Sequence, residues 1–332
     1  MFQPTPRYPC EVGQFKSIMV GLSFRNEFLC VLFNFILVFY YGLAHLKSAS
    51  SDASVDSNVN GVYVELEGGV QLVYQVPKSS EALTGVLFVA HGCSHSATDW
   101  WPKSQNCSAC IGLPVEGSIV RMALERNMAV VAVTSSNRQH KCWVMKSDKV
   151  PVINAIKYVY QKAGIIAETA SVPLYLYGAS NGGSFVGTFA QEAKFEGLVV
   201  SAICVQIMFI KIHRFDEDMI PALFIHMPLD THTKKMVSSV IDQINKHSPN
   251  SAKEFLCLKK ALLPTYFNDH GAVLTIADSA KLIKAFSYSG LLSPLNILLE
   301  NPRETNWREV STDKVSPNIF LKKFTVFETS HR

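Results

Sequence analysis

A serine held between glycines is the feature of this sequence that most directly suggests chemistry. Residues 178–182 are GASNG, with Ser180 at the centre, and they follow the apolar segment LYLY and lead into SFVGTFAQEAK. A serine on a sharp turn between a strand and a helix projects its hydroxyl outward, beside a helix N-terminus that favours negative charge. The pattern therefore predicts that Ser180 is a nucleophile for attack on an acyl carbonyl.

Backbone amides that stabilise the negative charge of such an attack are predicted on two segments. The charge develops on the former carbonyl oxygen, where aimed N–H groups stabilise it. Asn181 begins the predicted helix, and the sequence HGCSH at 91–95 follows a continuously apolar segment that is typical of a buried strand. We therefore predict an oxyanion hole formed by the amides of Gly92, Cys93 and Asn181.

The acid that orients a catalytic histidine is expected after the nucleophile in chain order, at the end of a later strand. The segment PALFIHM at 221–227 is apolar enough for such a strand, and Asp230 follows it closely. Asp230 is therefore the predicted acid. The alternative is that it only caps a helix beginning at Thr231, a position where aspartate is favoured.

The base must be a histidine that follows the acid and lies beyond the last strand. His270 follows the predicted last strand at 253–263 and precedes a glycine, so it is the predicted base. His331, the penultimate residue, is the alternative if the chain end packs back over the site. His232 is only two residues from the acid, and His247 is explained as a favourable charge at a helix C-terminus.

Two neighbouring tryptophans lie in the loop that follows the predicted oxyanion segment. The sequence DWWPKSQNCSACIGLP at 99–114 is expected to form a long loop over the mouth of the site, stapled by cysteines. Trp100 and Trp101 either line an apolar acyl pocket or anchor the loop to the core. Large aromatic side chains suit both roles, so the sequence leaves both open.

A zinc site is the competing interpretation of this part of the chain. Cys107 and Cys110 have the spacing of zinc ligands, and His91, Cys93 and His95 lie upstream. No second paired motif completes a structural site, and an oxidising compartment favours disulfide bonds among these cysteines. We therefore expect neither a metal nor another cofactor.

The elements that must position these residues alternate between apolar strands and helices. GVYVELEGG and VQLVYQVP form a predicted hairpin around Gly68-Gly69. Continuously apolar strands are typical of a parallel sheet buried on both faces. The fold class is therefore predicted as α/β, with a mostly parallel central sheet and helices on both faces. The predicted strands are 84–91, 128–134, 171–178, 197–207, 221–227 and 253–263, and the predicted helices are 117–126, 148–162, 181–194 and 231–247.

A membrane helix is predicted ahead of this domain. Residues 28–46 are FLCVLFNFILVFYYGLAHL, and about 20 mostly apolar residues are enough to cross a bilayer. A cleaved signal peptide, followed by secretion, is the alternative. Residues 1–27 carry Arg7, Lys16 and Arg25 and are predicted to be cytosolic, because basic flanks tend to remain on that side. The catalytic domain is then expected to be lumenal or extracellular.

Composition separates the remaining segments and excludes one class of partner. Residues 47–60 are polar and Ser-rich and predict a flexible stalk, so the folded domain is placed at 61–332. The eight cysteines fit an oxidising compartment and predict disulfide bonds, with the pairing left open. The formal net charge of +4 comes without a basic run, which argues against nucleic-acid binding.

Taken together, these segments make residues 62–290 resemble the α/β-hydrolase superfamily. The matching pieces, in the expected order, are FVAHGCSHSATDWW, LYLYGASNGG and PALFIHMPLD. The resemblance implies an eight-stranded sheet, a serine nucleophile, no metal and an acyl-enzyme intermediate. The chain departs from the family pattern in lacking a Gly-x-Gly-His phrase at the base and in having Met227-Pro228 where a glycine often precedes the acid.

Two functions from different classes follow from these predictions. The first is a membrane-anchored serine hydrolase that cleaves an ester, thioester or amide bond in a small-molecule or peptide substrate. The second is a binding or interaction protein that keeps the hydrolase fold without turnover. The nucleophile motif favours the first, and the departures at the base and the acid keep the second open.

Overall fold

The computed structural model describes residues 59–165, 172–194, 196–206, 219–257, 259–269 and 274–312. The membrane helix predicted at 28–46 and most of the predicted stalk lie outside these residues. Within the described ranges, no helix is both long enough and apolar enough to span a bilayer.

Eight strands of the described chain form one sheet, in the order β1-β2-β4-β3-β5-β6-β7-β8. The strands are β1 (Val62–Leu66), β2 (Val70–Gln75), β3 (Gly85–Ala90), β4 (Met128–Val133), β5 (Leu174–Ala179), β6 (Val200–Gln206), β7 (Ala222–His226) and β8 (Ala252–Leu256). The α-helices are α1 (Pro114–Glu125), α2 (Met145–Lys162), α3 (Asn181–Lys194), α4 (Thr231–His247), α5 (Tyr266–Asp269), α6 (Ile276–Tyr288) and α7 (Trp307–Thr312).

The pairing of the strands is mostly parallel. β1 and β2 form the predicted hairpin, and β2 pairs antiparallel with β4. From β4 through β3, β5 and β6 to β7 the neighbours are parallel. Parallel neighbours end at the same edge, and the register pairs Ala90 with Gly178. The loop after β3 and the turn after β5 therefore begin side by side.

Helices cover the sheet on both faces. Phe88 belongs to one apolar cluster together with residues of α2 and α3, among them Ile156 and Phe189. Because side chains alternate along a strand, Leu87 and Val89 point to the opposite face. There α1, whose buried residues are not part of that cluster, packs against β4. The predicted α/β class with a mostly parallel sheet is confirmed.

The described chain divides into two compact units. The sheet unit comprises described residues between 59 and 225 together with 235–255, and the C-terminal unit comprises 226–234 and described residues between 256 and 312. The C-terminal unit has its own apolar cluster, which includes Phe267 of α5, Phe286 of α6 and Trp307 of α7. The helix α6 begins where the Thr275 side chain accepts a hydrogen bond from the Asp278 amide.

The last strand is shorter than predicted. The sequence predicted a strand over 253–263, whereas β8 ends at Leu256. Ala261 instead forms an isolated bridge with Ile297, and Leu262 is buried in the cluster of the C-terminal unit. Leu262, one of the apolar residues that suggested a longer strand, is thus buried by other partners, whereas Leu263 is exposed.

Candidate active site

Ser180 occupies a sharp turn between β5 and α3. Its backbone has a φ of +57°, in the left-handed region that non-glycine residues rarely adopt. Its amide donates to the Gln206 carbonyl at 2.9 Å, and its carbonyl accepts from the Gly183 amide at 2.9 Å. The strand-to-helix turn predicted at this serine is present, and hydrogen bonds on both sides hold its strained backbone.

Glycine at position 182 allows the start of α3 to lie against the end of β3. A Cβ at Gly182 would lie 2.5 Å from the carbonyl oxygen of His91. Real Cβ atoms do not approach backbone so closely, so a side chain here would push α3 away from the strand. The approach keeps Ser180 beside the loop that follows β3.

The predicted oxyanion segment lies against the serine. The position that a Cβ of Gly92 would take is 3.5 Å from the Ser180 Cβ. Within the described chain, the amides of Gly92 and Cys93 donate no hydrogen bond to protein. The amide of Asn181 is the first of α3, where a helix offers no internal acceptor. The three predicted donors therefore lie on the two segments that flank the serine.

A disulfide bond holds the loop after β3. Cys93 is bonded to Cys142, which lies 49 residues away on the loop after β4. A second bond joins Cys107 to Cys110. Three of the residues considered as zinc-type ligands are therefore committed to disulfides. Among the residues that the structure describes, no group of three His, Cys, Asp or Glu side chains is arranged to hold a metal.

Trp143 connects the loop to the elbow and was missed by the sequence analysis. Its indole nitrogen donates to the His91 carbonyl at 2.7 Å, and its backbone amide donates to Asn181 Oδ1 at 2.5 Å. Its ring stacks on Phe185 of α3 with centroids 4.6 Å apart. The only sequence signal was its place, one residue after Cys142 and beyond the carboxyl end of a buried strand.

His91 is buried and braces the loop from inside. Its Nε2 accepts a hydrogen bond from the Ser135 amide at 3.1 Å, so the ring proton lies on Nδ1, 2.7 Å from the Gly92 carbonyl. Burial lowers the pKa of His91 to about 4, outweighing the hydrogen bond to Gly92. The ring is therefore neutral near pH 7 and holds the backbone of Gly92 in place.

His95 has the opposite character. Its Nδ1 lies 2.7 Å from Asp99 Oδ2, and its side chain is 31% exposed. The hydrogen bond to Asp99 raises the pKa of His95, against the opposing effect of burial. Burial works against the ionisation of Asp99, but hydrogen bonds from His95 and Ser96 lower its pKa overall. From the sequence, His95 was a candidate only as a zinc-type ligand, although its spacing of four residues to Asp99 indicates a possible side-chain pair.

The two tryptophans of the following loop are both buried. Trp101 donates from its indole nitrogen to Gln75 Oε1 at 3.1 Å, and its ring fills the space in front of Gly61. Trp100 packs edge-on against Tyr177 of β5, with centroids 5.8 Å apart. Both contacts anchor the loop to the sheet unit. A part for either ring in an acyl pocket stays a prediction.

Asp230 belongs to the C-terminal unit and caps α4. Its Oδ1 accepts from the Thr233 amide at 2.9 Å, and its carbonyl accepts from the Lys234 amide at 3.0 Å. The capping role that the sequence offered as the alternative is therefore present. Its role as the catalytic acid stays a prediction.

The two candidate bases lie outside the residues that the structure describes. His270 and His331 both lie outside the described residues, so their assignment as base or alternative base stays a prediction. His232 is exposed in the first turn of α4. His247 is the last residue of α4, and its Nδ1 lies 2.9 Å from the Gln243 carbonyl, which fits the predicted role at the helix end.

Comparisons with known proteins give likenesses only to solved structures. No family model matches the chain, and no curated protein matches it. A solved thermostable esterase is similar with a TM-score of 0.43 and 15% identity, over 64% of this chain and 58% of that one. A carboxylesterase from Mesorhizobium loti is similar with a TM-score of 0.40 and 12% identity, over 59% of this chain and 88% of that one. A serine hydrolase without lid from Xanthomonas campestris is similar with a TM-score of 0.39 and 10% identity, over 62% of this chain and 87% of that one.

These solved structures share little sequence with this chain. This chain spans just over half the length of the thermostable esterase. The architecture itself is described independently of them. Eight strands form one mostly parallel sheet, and a strained serine stands where β5 turns into α3. On this sheet and this elbow, the fold is similar to that of the α/β hydrolases.

Proposed function

We propose that this protein is a serine hydrolase that cleaves an acyl bond, in an ester, thioester or amide, through an acyl-enzyme intermediate. The observation that carries the proposal is the position of Ser180. It stands on a strained turn at a helix N-terminus, with Gly92 against its Cβ. Among the described residues, the neighbouring amides of Gly92 and Cys93 have no protein acceptor. Such a turn costs stability, and its use is to expose a nucleophile next to aimed donors.

In the proposed reaction, Ser180 Oγ attacks the acyl carbon while a histidine takes its proton. The carbonyl π electrons move to the oxygen, and the amides of Gly92, Cys93 and Asn181 donate to the oxyanion. Collapse of the intermediate breaks the bond to the leaving group, which receives the proton from the histidine. Water then cleaves the acyl-enzyme by the same route and regenerates the serine.

The proposed base is His270, with His331 as the alternative, and the proposed orienting acid is Asp230. The chain order of serine, acid and histidine supports this assignment, since it is the order found in proteins with this kind of elbow. The capping bond from the Thr233 amide fixes the carboxylate of Asp230 at the start of α4.

Labelling with a fluorophosphonate probe tests the enzyme against a binding protein of the same fold. We expect the parent chain to be labelled and Ser180→Ala to be unlabelled, with hydrolysis lowered on the order of a millionfold. The matched control is Ser184→Ala, one turn further along α3, which should remain labelled. A well-folded parent chain that takes no label would favour the binding protein.

The two candidate bases are separated by single substitutions. His270→Ala should lower kcat by several orders of magnitude, while His331→Ala leaves it within a small factor. The reverse result would move the base to His331. Circular dichroism on each variant shows whether a loss of activity reflects a loss of fold.

We also propose that the protein is anchored by the segment at 28–46, with the hydrolase domain lumenal or extracellular. Support comes from the length of the apolar segment and the basic residues ahead of it. The Cys93–Cys142 and Cys107–Cys110 bonds fit an oxidising compartment. Alkaline carbonate extraction should leave the full chain in the membrane pellet, whereas release into the supernatant would favour secretion after cleavage.

A further inference from the structure

The His95 side chain stands beside the nucleophile although the proposed mechanism gives it no part. Its amide donates to the Gly92 carbonyl at 3.3 Å, and Ser94 between them has a φ of +68°, so the loop turns back on itself. The point that a Gly92 Cβ would occupy lies 3.5 Å from the Ser180 Cβ and 3.8 Å from His95 Cδ2. The Cδ2 atom of His95, which is bonded to Nε2, and the Ser180 Cβ therefore lie near the same point, on either side of a residue without a side chain.

The orientation of this ring is fixed from behind. Nδ1 is 2.7 Å from Asp99 Oδ2, and Asp99 in turn accepts from the Ser96 amide at 3.3 Å and from Ser96 Oγ at 3.1 Å. Asp99 is buried, while the His95 side chain remains 31% exposed. Within the described ranges Nε2 has no hydrogen-bond partner. The ring is thus held at one nitrogen and open to a ligand at the other.

The charges around the ring favour its protonated form. Asp99 and Glu116 of α1 both stabilise an imidazolium at this position, whereas Lys141 and burial oppose it. His91 is neutral near pH 7 and adds little. Burial raises the pKa of Glu116 itself, so Asp99 is the main counter-charge. With its pKa raised, His95 keeps its second proton to a higher pH than an ordinary histidine.

We propose that His95 is a further catalytic residue, whose imidazolium donates from Nε2–H to the oxyanion formed at Ser180. This inference rests on the proposed function. It adds a charged side-chain donor to the amides of Gly92, Cys93 and Asn181. A charge-assisted hydrogen bond is about twice as strong as a neutral one, so the oxyanion gains more from it than from another amide.

The state of the ring decides whether it donates. When His95 is neutral, its remaining proton lies on Nδ1 toward Asp99, and Nε2 presents a lone pair to the oxyanion. When it is protonated, Nε2–H donates and the proton stays on His95 throughout the step. The hydrolase therefore needs a neutral base and a protonated His95 together. Its kcat should rise with pH as the base loses its proton and fall again as His95 loses its own.

Replacement of His95 by glutamine tests this directly. The glutamine amide can donate at every pH, so in His95→Gln the decline of kcat at alkaline pH should disappear while much of the activity remains. In His95→Ala, kcat should fall about 10²–10³-fold, the loss expected for one oxyanion donor, with a smaller change in KM. His140→Ala, an exposed histidine on the neighbouring loop, is the matched control and should behave as the parent chain.

Asp99→Asn provides the second measurement. The asparagine removes the counter-charge but keeps a side chain of the same size, so the alkaline decline should move to lower pH. Thermal unfolding of each variant separates this shift from a loss of stability. A structural role for His95 alone would lower stability without moving the pH profile.

The outcomes separate the two proposals. If fluorophosphonate does not label the folded parent chain, the proposed function fails, and this inference with it. If Ser180 is labelled and substrate is turned over, but His95→Gln keeps the alkaline decline of the parent, the role of His95 is wrong. A His95→Ala variant with unchanged kcat overturns it equally, and so does a loss of the acidic rather than the alkaline limb.

Discussion

The loop that carries Gly92 and the segment that carries Asp230 are held in very different ways. The first is cross-linked to Cys142, supported from inside by His91 and tied to the elbow through Trp143. The second is positioned by its helix cap, in which Asp230 itself supplies the bond. The proposed catalytic groups on the first segment are thus positioned by other residues. On the second, the proposed catalytic residue also has the structural task.

Removal of the Cys93–Cys142 bond should have the largest effect on stability. The bond closes a loop of 49 residues, for which the chain-entropy estimate is about 4 kcal/mol. The double variant Cys93→Ala/Cys142→Ala should lose up to that amount in denaturant unfolding, together with hydrolysis. Cys107→Ala/Cys110→Ala is the control, because its bond spans only 3 residues and is worth about half as much. Equal losses in both would show that the long cross-link does not stabilise the loop in this way.

Gly182→Ala should come next, with a loss of about 3 kcal/mol. Its Cβ would lie 2.5 Å from the His91 carbonyl, so α3 or the end of β3 must shift. Gly117→Ala is matched to it, since Gly117 is inside α1 and its Cβ would come no closer than 3.9 Å to other atoms. The control should be neutral or slightly stabilising. Chemical denaturation measures the stability of both variants. If Gly182→Ala is as stable as the parent chain, the close approach of α3 to β3 does not explain the glycine at this position.

The pH dependence of the free energy of unfolding tests the structural role of the buried His91. The pKa of His91 is lowered from 6.5 to about 4 by burial, so the folded state holds the ring neutral where the unfolded state protonates it. Its contribution is fully present above about pH 6.5 and is lost as the pH falls toward 4, by about 3 kcal/mol at most. Unfolding titrations should show this decline in the parent chain and a weaker one in His91→Gln. Parallel curves would place the pH dependence elsewhere.

Asp230 offers the smallest stability effect and the sharpest separation of roles. Serine caps a helix almost as well as aspartate, whereas alanine costs about 1 kcal/mol. Asp230→Ser should therefore unfold like the parent chain, and Asp230→Ala slightly earlier. If Asp230 also orients the base, both variants should lose about 10⁴-fold in kcat. If Asp230→Ser is instead fully active, and activity is lost only where stability is lost, then Asp230 serves only as a helix cap.

The sequence was sufficient for the parts of the molecule that are encoded locally. The turn at Ser180 needs only an apolar strand, two glycines and a helix, all within about twenty residues. Continuous apolar segments indicated the parallel sheet, and the loop at Gly92 followed from its place after a strand. Each of these features depends on neighbours in the chain.

What the sequence did not reveal depends on partners far along the chain. Cys93 could pair with any of several cysteines, and only the adjacency of β3 and β4 selects Cys142. The role of Trp143 at Asn181 also requires knowing that β5 pairs with the other side of β3. The predicted last strand was too long because Leu262, which lies beyond Leu256, is buried in a different cluster. An apolar segment indicates that its residues are buried, but not which other residues they pack against.

The parallel arrangement of the sheet also divides the molecule by its tolerance of change. The groups proposed for chemistry follow the carboxyl ends of β3 and β5, whose register pairs Ala90 with Gly178. Turns that enter the strands, such as 126–127 before β4 and 197–198 before β6, lie at the opposite edge. Exposed residues at that edge, such as Val199, can be replaced without moving Ser180. We therefore expect exposed positions at one edge to tolerate change, whereas the proposed substrate specificity depends on loops at the other.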